Sequence, residues 1–220
     1  MIFLLIASFP DSVIKFRGPL IDALLRAGKE VHVAMPGVEP QGGVALALAR
    51  KGVHLHSVPL QRTGLNPITD LRLLAALVSL MWRIRPQYVL SYTIKPVIYG
   101  SLAAWLTGVK HRFALVTGLG YAFTDAASGK RALLRRLIQS LYRFALKCTH
   151  RVFFQNPDDE ALFRDLKLLS ETVPSSVVNG SGVDIAEYVA FAPPDKPCFL
   201  LIARLLGDKK KTRLIRRSRV

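Results

Sequence analysis

Short continuous apolar runs alternate along this chain with longer segments in which apolar residues recur at helical spacing. Most of the short runs lack in-and-out alternation, which is typical of parallel strands covered on both faces. The runs predict strands at residues 2–7, 31–35, 53–58, 88–92, 113–117, 151–155, 176–179 and 199–203. The longer segments predict helices at residues 13–27, 44–51, 68–85, 96–107, 130–148 and 158–168. This alternation predicts an α/β fold with a Rossmann-like, doubly wound parallel sheet.

The rhythm of strands and helices breaks near residue 190. Segment 190–198 is rich in proline and is interpreted as a linker that follows a first domain of residues 1–189. Residues 199–209 contain a new apolar strand, interpreted as a remnant of a second domain. Residues 210–220 are interpreted as a basic, non-native tail.

The chain carries a net charge of +16, from 31 Lys and Arg against 15 Asp and Glu. This charge allows a nucleic-acid-binding protein as an alternative reading, but no recognisable nucleic-acid motif accompanies it, and the tail carries much of the excess. The two cysteines, Cys148 and Cys198, indicate neither a disulfide framework nor a zinc site. We expect a soluble, cytoplasmic protein that touches a membrane surface, without a metal ion.

Ligands of doubly wound sheets bind beyond the carboxyl ends of the strands, so the loops there carry the candidate site residues. Lys15 and Arg17 lie near the start of the first helix and could hold an anion, or could be ordinary solvated bases. Thr93 and Lys95 follow the fourth strand and form a plausible phosphate-binding site, unless Lys95 is a surface lysine.

Glycine-rich loops follow two other predicted strands, where backbone can approach a ligand closely or simply turn. The residues are Gly118, Gly120 and Tyr121 after the fifth strand, and Asn179, Gly180, Gly182 and Asp184 after the seventh.

The predicted helix 130–148 is basic and amphipathic. Arg136, Arg143 and Lys147 share one stripe, which could face anionic lipid. The apolar residues Leu133, Leu134, Leu137, Ile138, Leu141 and Ala145 are expected on the opposite side, against the sheet. Arg204 and Lys209 flank the turn after the last strand, where two bases could neutralise a diphosphate, or could belong to the tail.

Taken together, these segments resemble retaining glycosyltransferases of family 4, which have the GT-B fold. The motifs stand in the order and spacing of that family and cover about residues 1–209. They are FRGPLIDALLRAGKEVHVAMP (16–36), LNPITDLRLL (65–74), YTIKPVIYGSLAA (92–104), RFALVTGLGYAFT (112–124), VVNGSGVD (177–184) and FLLIARLLGDK (199–209). The strongest likeness is to bacterial enzymes that extend a sugar on an undecaprenyl-diphosphate carrier in surface polysaccharide, lipopolysaccharide or glycan biosynthesis.

The resemblance implies hexosyl or N-acetylhexosaminyl transfer from a nucleotide sugar, with no cofactor and no metal. The first domain would bind the lipid-linked acceptor and lie peripherally on the inner face of the bacterial membrane. Arg204 and Lys209 would contact the donor diphosphate, and the Thr93–Lys95 and Gly118–Gly120 loops would meet the acceptor. No nucleic acid would be a partner.

The chain departs from the family pattern after Lys209, where Lys210 replaces a glycine. The family continues there with a helix and a complete second domain. We therefore expect an inactive fragment, truncated by a frameshift in the Lys-Lys-Lys run. A scaffold or acceptor-binding subunit of a split glycosyltransferase is the alternative.

Overall fold

The computed structural model of the chain describes residues 1–39, 41–61, 64, 66–118, 130–183, 185 and 192; within 130–147, the side chains of residues 130, 131 and 134 are excepted. The strands are β1 (Ile2–Ile6), β2 (Glu30–Met35), β3 (His54–Ser57), β4 (Tyr88–Tyr92), β5 (His111–Val116), β6 (Arg151–Phe154) and β7 (Ser175–Val177). The α-helices are α1 (Pro10–Arg26), α2 (Gly43–Arg50), α3 (Pro67–Ile84), α4 (Ser101–Leu106), α5 (Lys130–Lys147) and α6 (Pro157–Asp165), and a π-helical turn, Pro96–Gly100, leads into α4.

All seven strands pair in parallel, in the order β3-β2-β1-β4-β5-β6-β7. Alternate residues of a strand point to opposite faces, and β1 shows which helices cover each face. Phe3 and Leu5 pack with α1 and α2, whereas Leu4 and Ile6 pack with α3. The strand order reverses between β1 and β4, which makes the sheet doubly wound, as predicted.

The predicted elements agree with the observed ones within three residues at each end. Helix α6 ends earlier than predicted because Lys167 has a left-handed backbone, with φ of 54°. The helix predicted at 96–107 begins as a π-helical turn that lies directly against β4. Gly100 permits this approach, because a Cβ there would collide with Ser91 Oγ. The predicted strand 199–203 lies outside the described residues.

Residues Met1–Gly182 form one compact unit, with a core on each face of the sheet. The predicted linker 190–198, apart from Ala192, and the tail 210–220 lie outside the described residues, so these boundaries stay predictions. Among the helices that the structure describes, none combines the length and hydropathy needed to cross a bilayer.

Candidate functional site

The loops that follow β1 and β4 meet at the point where the strand order reverses. Thr93 Oγ1 donates a hydrogen bond of 2.7 Å to Ser8 Oγ, which joins the two loops. The backbone of Thr93 is left-handed, with φ of 69°, a strained conformation for a β-branched residue. Such strain persists only where the surroundings hold it, so the position of this hydroxyl is fixed by the fold.

Arg17 places a buried guanidinium beside Tyr92, at the end of β4 and next to Thr93. The side chain projects from α1, and its Cζ lies 4.9 Å from the centre of the Tyr92 ring. Its Nη1 donates to the Phe16 carbonyl at 3.0 Å and to Ser181 Oγ at 3.1 Å. Arg17 is only 6% exposed, and its Nε has no hydrogen-bond partner among the described residues. Burial lowers the pKa of Arg17, although an arginine so placed keeps its charge.

Further hydroxyl groups meet beside the Tyr92 ring that the guanidinium contacts. Tyr92 OH lies 2.9 Å from Ser12 Oγ, and Ser12 Oγ donates to the Phe9 carbonyl at 2.6 Å. Burial raises the pKa of Tyr92, so its phenol is a neutral hydrogen-bonding group at pH 7. We call Ser8, Ser12, Arg17, Tyr92, Thr93 and Ser181 the carboxyl-edge cluster. A buried cation accompanied by hydroxyl groups at a switch point is suited to a phosphate or diphosphate ligand.

Lys95 lies in the same loop as Thr93, but it makes a different set of contacts. Its Nζ donates to Asp70 Oδ1 of α3 at 2.7 Å, and the Lys95 and Asp70 side chains are 10% and 7% exposed. Tyr99 OH donates to the other carboxylate oxygen at 3.0 Å. Burial and the nearby carboxylate raise the pKa of Tyr99. Lys95 therefore ties the β4 loop to α3 and is not the surface lysine considered above.

Helix α5 places a basic stripe beside an exposed apolar one. Arg136, Arg143 and Lys147 are exposed, and Arg143 Nε donates to the Lys167 carbonyl beyond the end of α6 at 2.7 Å. Adjoining them are Leu133, Leu137 and Phe144, which are 71%, 54% and 52% exposed. We call these six residues the α5 outer face.

The expectation that Leu133 and Leu137 pack on the sheet was wrong. The expectation is confirmed for Ile138 and Ala145, which lie in the core, and for Leu141, which packs against it. Tyr142 and Leu146 complete the inward stripe of α5. The helix is therefore apolar over more than half of its circumference, and only one part of that surface meets the core.

Comparison with known proteins identifies the family of this domain. Residues 16–173 match the family model described as "Glycosyl transferase 4-like domain". The chain belongs to the glycosyl transferase 4-like family. It is 29% identical, over 212 residues, to the N,N'-diacetylbacillosaminyl-diphospho-undecaprenol alpha-1,3-N-acetylgalactosaminyltransferase of Campylobacter jejuni. That alignment covers 90% of this chain and 54% of the relative, so the chain spans about half the relative's length.

Solved structures share the fold of this glycosyl transferase 4-like domain. A UDP-GlcNAc 2-epimerase from Neisseria meningitidis bound to UDP-GlcNAc aligns with a TM-score of 0.54 at 17% identity, covering 82% of this chain and 47% of the epimerase. A sucrose-phosphate synthase from Thermosynechococcus elongatus aligns with a TM-score of 0.55 at 14% identity, covering 80% of this chain and 47% of the synthase. The α/β fold and the family resemblance inferred from the sequence are thereby confirmed.

The glycosyl transferase 4-like domain brings some of the predicted site residues together and separates others. Arg17 and Thr93 lie in the carboxyl-edge cluster, whereas Lys15 is exposed on α1. Gly118 follows β5 with φ of 131°. Asn179, Gly180 and Gly182 flank Ser181 after β7. Gly120, Tyr121, Asp184, Arg204 and Lys209 lie outside the described residues, and their roles stay predictions.

Apart from Thr93, sequence reasoning missed the hydroxyl groups of the cluster. Ser8, Ser12, Tyr92 and Ser181 are common residue types, and none belongs to a phosphate-binding motif. Their signal is positional, because Ser8 and Tyr92 lie at the carboxyl ends of the two strands that flank the reversal of strand order. Gln155, directly after β6, was also missed; its Nε2 donates to Ser181 Oγ at 2.9 Å.

Proposed function

We propose that this chain supplies the acceptor-binding half of a glycosyltransferase that acts on a saccharide carried by a lipid diphosphate. The sugar, a hexose or N-acetylhexosamine, would come from a nucleotide-sugar donor. Family membership supports sugar transfer, and the Campylobacter relative is named for a diphospho-undecaprenol acceptor. The observation that carries the proposal is the buried guanidinium of Arg17 at the switch point, without a carboxylate partner among the described residues.

The carboxyl-edge cluster has the chemistry needed to hold the acceptor diphosphate. An arginine presents several N–H donors in a planar fork that matches phosphate oxygens. The Arg17 guanidinium is already desolvated and held over Tyr92, so little reorganisation is needed when an anion arrives. The Ser8 hydroxyl, which accepts from Thr93, would donate a further hydrogen bond to a phosphate oxygen. No side chain of this cluster is assigned as a catalytic base.

The residues proposed to bind the nucleotide-sugar donor lie outside the described part of the chain. Arg204 and Lys209 would contact the donor diphosphate and stabilise it as it leaves. A nucleotide sugar is the donor class that this assignment requires, and a complete donor site would need residues of a second domain. Neither a cofactor nor a metal ion is part of the proposed transfer step.

The α5 outer face would hold the domain against the membrane that carries the acceptor lipid. Arg136, Arg143 and Lys147 would contact anionic headgroups, while Leu133 and Phe144 would enter the boundary between headgroups and acyl chains. Trp105 is 48% exposed and lies edge-on to Phe144, at 6.2 Å between ring centres, which widens the apolar part of the surface. We infer peripheral attachment to the inner leaflet of a bacterial membrane.

Vesicle binding tests the acceptor site directly. The full chain is titrated with neutral phosphatidylcholine vesicles that do or do not contain undecaprenyl diphosphate. We expect tighter binding with the diphosphate lipid, and about a tenfold or greater loss of that increment in Arg17→Met, because charge-assisted hydrogen bonds contribute about 1.5–3 kcal/mol each. Arg26→Met, an exposed arginine on the same helix, is the matched control and should bind like the wild type.

The same vesicle assay distinguishes binding through the acceptor site from binding through the α5 outer face. Adding anionic lipid without the diphosphate lipid should strengthen binding in the wild type and in Arg17→Met, but not in the Arg136→Ala/Lys147→Ala double variant. Equal binding of the wild type and Arg17→Met to the diphosphate lipid would contradict the proposed acceptor site. Equal binding of all variants to anionic vesicles would contradict the proposed membrane surface.

A further inference from the structure

A second polar cluster lies at the opposite end of the strands, where β2 and β3 begin. Glu30 and His32 are two residues apart on β2, so their side chains share one face of the sheet. The parallel register pairs His32 with His54 of β3, and this pairing places a second imidazole beside the first. Register, and not spacing along the chain, brings these residues together, so the sequence contains no metal-binding motif.

The atoms of this cluster have the separations of a ligand set. Glu30 Oε1 lies 2.9 Å from His32 Nε2 and 3.7 Å from His54 Nε2, and the three ligand atoms all lie within 4.8 Å of one another. Ligands about 2.0–2.2 Å from a tetrahedral ion stand roughly 3.3–3.5 Å apart. The side chains of Glu30 and His54 are 47% and 57% exposed, so both can adjust to an ion and leave a position open to solvent.

The surroundings of His32 supply the partner that a metal-bound imidazole usually has. His32 is 6% exposed, and its Nδ1 lies 2.8 Å from His56 Nε2. A neutral imidazole has one N–H, which either ring nitrogen can carry. In one tautomer Nε2 carries it and donates to Glu30. When Nδ1 carries it and donates to His56, the Nε2 lone pair faces Glu30 Oε1 at 2.9 Å, and a metal ion can bind between them. Ligating histidines commonly donate their other N–H to an acceptor in this way.

We propose that Glu30, His32 and His54 bind a divalent transition-metal ion, with zinc as the best fit to two imidazole nitrogens and one carboxylate oxygen. His56 would orient His32 from the other side of its ring. The ion would lie at the amino ends of β2 and β3, away from the carboxyl-edge cluster, so it would take no part in acceptor binding. The proposal does not depend on the proposed sugar transfer.

Zinc titration of the untagged full chain tests the site. Calorimetry in a buffer that does not chelate metals should show one saturable Zn²⁺ ion per chain. We expect Glu30→Gln and His54→Gln each to weaken it at least tenfold. Both side chains are exposed, so these variants should fold like the wild type. His150→Gln, which changes an exposed histidine just before β6, is the matched control and should leave the affinity unchanged.

Cobalt provides an independent readout, because bound Co²⁺ absorbs visible light according to its geometry. A tetrahedral Co²⁺ spectrum that Zn²⁺ displaces, and that His54→Gln removes, would support the site. The proposal would be overturned if the wild type shows no saturable binding of either metal, or if His54→Gln binds Zn²⁺ as tightly as the wild type.

Discussion

Two cations are buried at the carboxyl edge of this sheet, and they have opposite surroundings. Lys95, whose side chain is 10% exposed, forms an ion pair with Asp70, which also accepts from Tyr99. Arg17, which is 6% exposed, meets an aromatic ring, a carbonyl and a hydroxyl, and has no carboxylate partner among the described residues. The two lie on either side of the same switch point, yet among the described residues only Lys95 finds a compensating charge.

This difference separates a structural cation from one suited to a ligand. Burying a charge is costly unless a counter-charge and hydrogen bonds accompany it. Asp70 supplies the counter-charge for Lys95, so that pair joins two elements of the fold. Arg17 retains much of its desolvation cost, which an incoming anion would offset. Residue type alone predicts the same role for both, and only the surroundings distinguish them.

The largest expected effect on stability comes from removing the carboxylate that compensates the charge of Lys95. Asp70→Asn leaves Lys95 buried without a counter-charge, and we expect the free energy of unfolding to fall by about 3–5 kcal/mol. Urea denaturation of the full chain measures this change. Asp22→Asn is the matched control, because the Asp22–Lys51 pair has the same separation, 2.7 Å between Nζ and Oδ1, but is 40% and 45% exposed.

The control should lose less than about 1 kcal/mol, as exposed ion pairs do. A second variant tests whether charge compensation is the cause. Replacing both partners, in Asp70→Leu/Lys95→Met, removes the two charges together and should cost less than Asp70→Asn alone. Equal losses in Asp70→Asn and Asp22→Asn would show that the buried pair does not anchor α3 to the β4 loop.

The fold could be predicted from the sequence because local signals and burial agree almost everywhere. Continuous apolar runs mark the strands, since both faces of the sheet are covered. The start of α6 is one boundary that the sequence predicts closely. Asn156 is its cap residue, and Asn156 Oδ1 accepts a hydrogen bond from the Asp159 N–H at 2.7 Å. Leu133 and Leu137 were misplaced because helical periodicity indicates an apolar surface without indicating what covers it.

The site was predicted only in part, because its geometry depends on pairing between distant segments. Thr93 was found from its position in the loop after the fourth strand, and Arg17 from its position near the start of the helix that follows the first. The burial of Lys95 against Asp70 could not be found, since these residues are 25 positions apart and meet only in the folded chain. For the same reason, the sequence did not predict the cluster of Glu30, His32 and His54, because these residues meet through strand register.

A smaller effect is expected from one substitution made on each side of the switch point. Gly100→Ala, beside the Lys95 loop, places a Cβ against Ser91 Oγ and 2.8 Å from Ile6 Cδ1, and should destabilise the fold by about 1–3 kcal/mol. Gly18→Ala, next to Arg17 in α1, meets nothing within 4 Å beyond its chain neighbours. The gain in helix propensity is opposed by crowding of the new Cβ against Pro19, so stability should change by less than about 1 kcal/mol. Equal losses in the two variants, measured by urea denaturation, would contradict the contrast in packing.

The smallest effect on stability is expected from removing the uncompensated cation. Arg17→Met loses two hydrogen bonds and the contact with the Tyr92 ring, but it also relieves the desolvation cost of the guanidinium and of its unpartnered Nε. Because these contributions oppose one another, we expect the free energy of unfolding to change by less than about 1 kcal/mol, as in the exposed control Arg26→Met. A loss as large as that of Asp70→Asn would make Arg17 a structural residue like Lys95. A nearly unchanged stability together with lost diphosphate binding is the combination that a ligand-binding arginine requires.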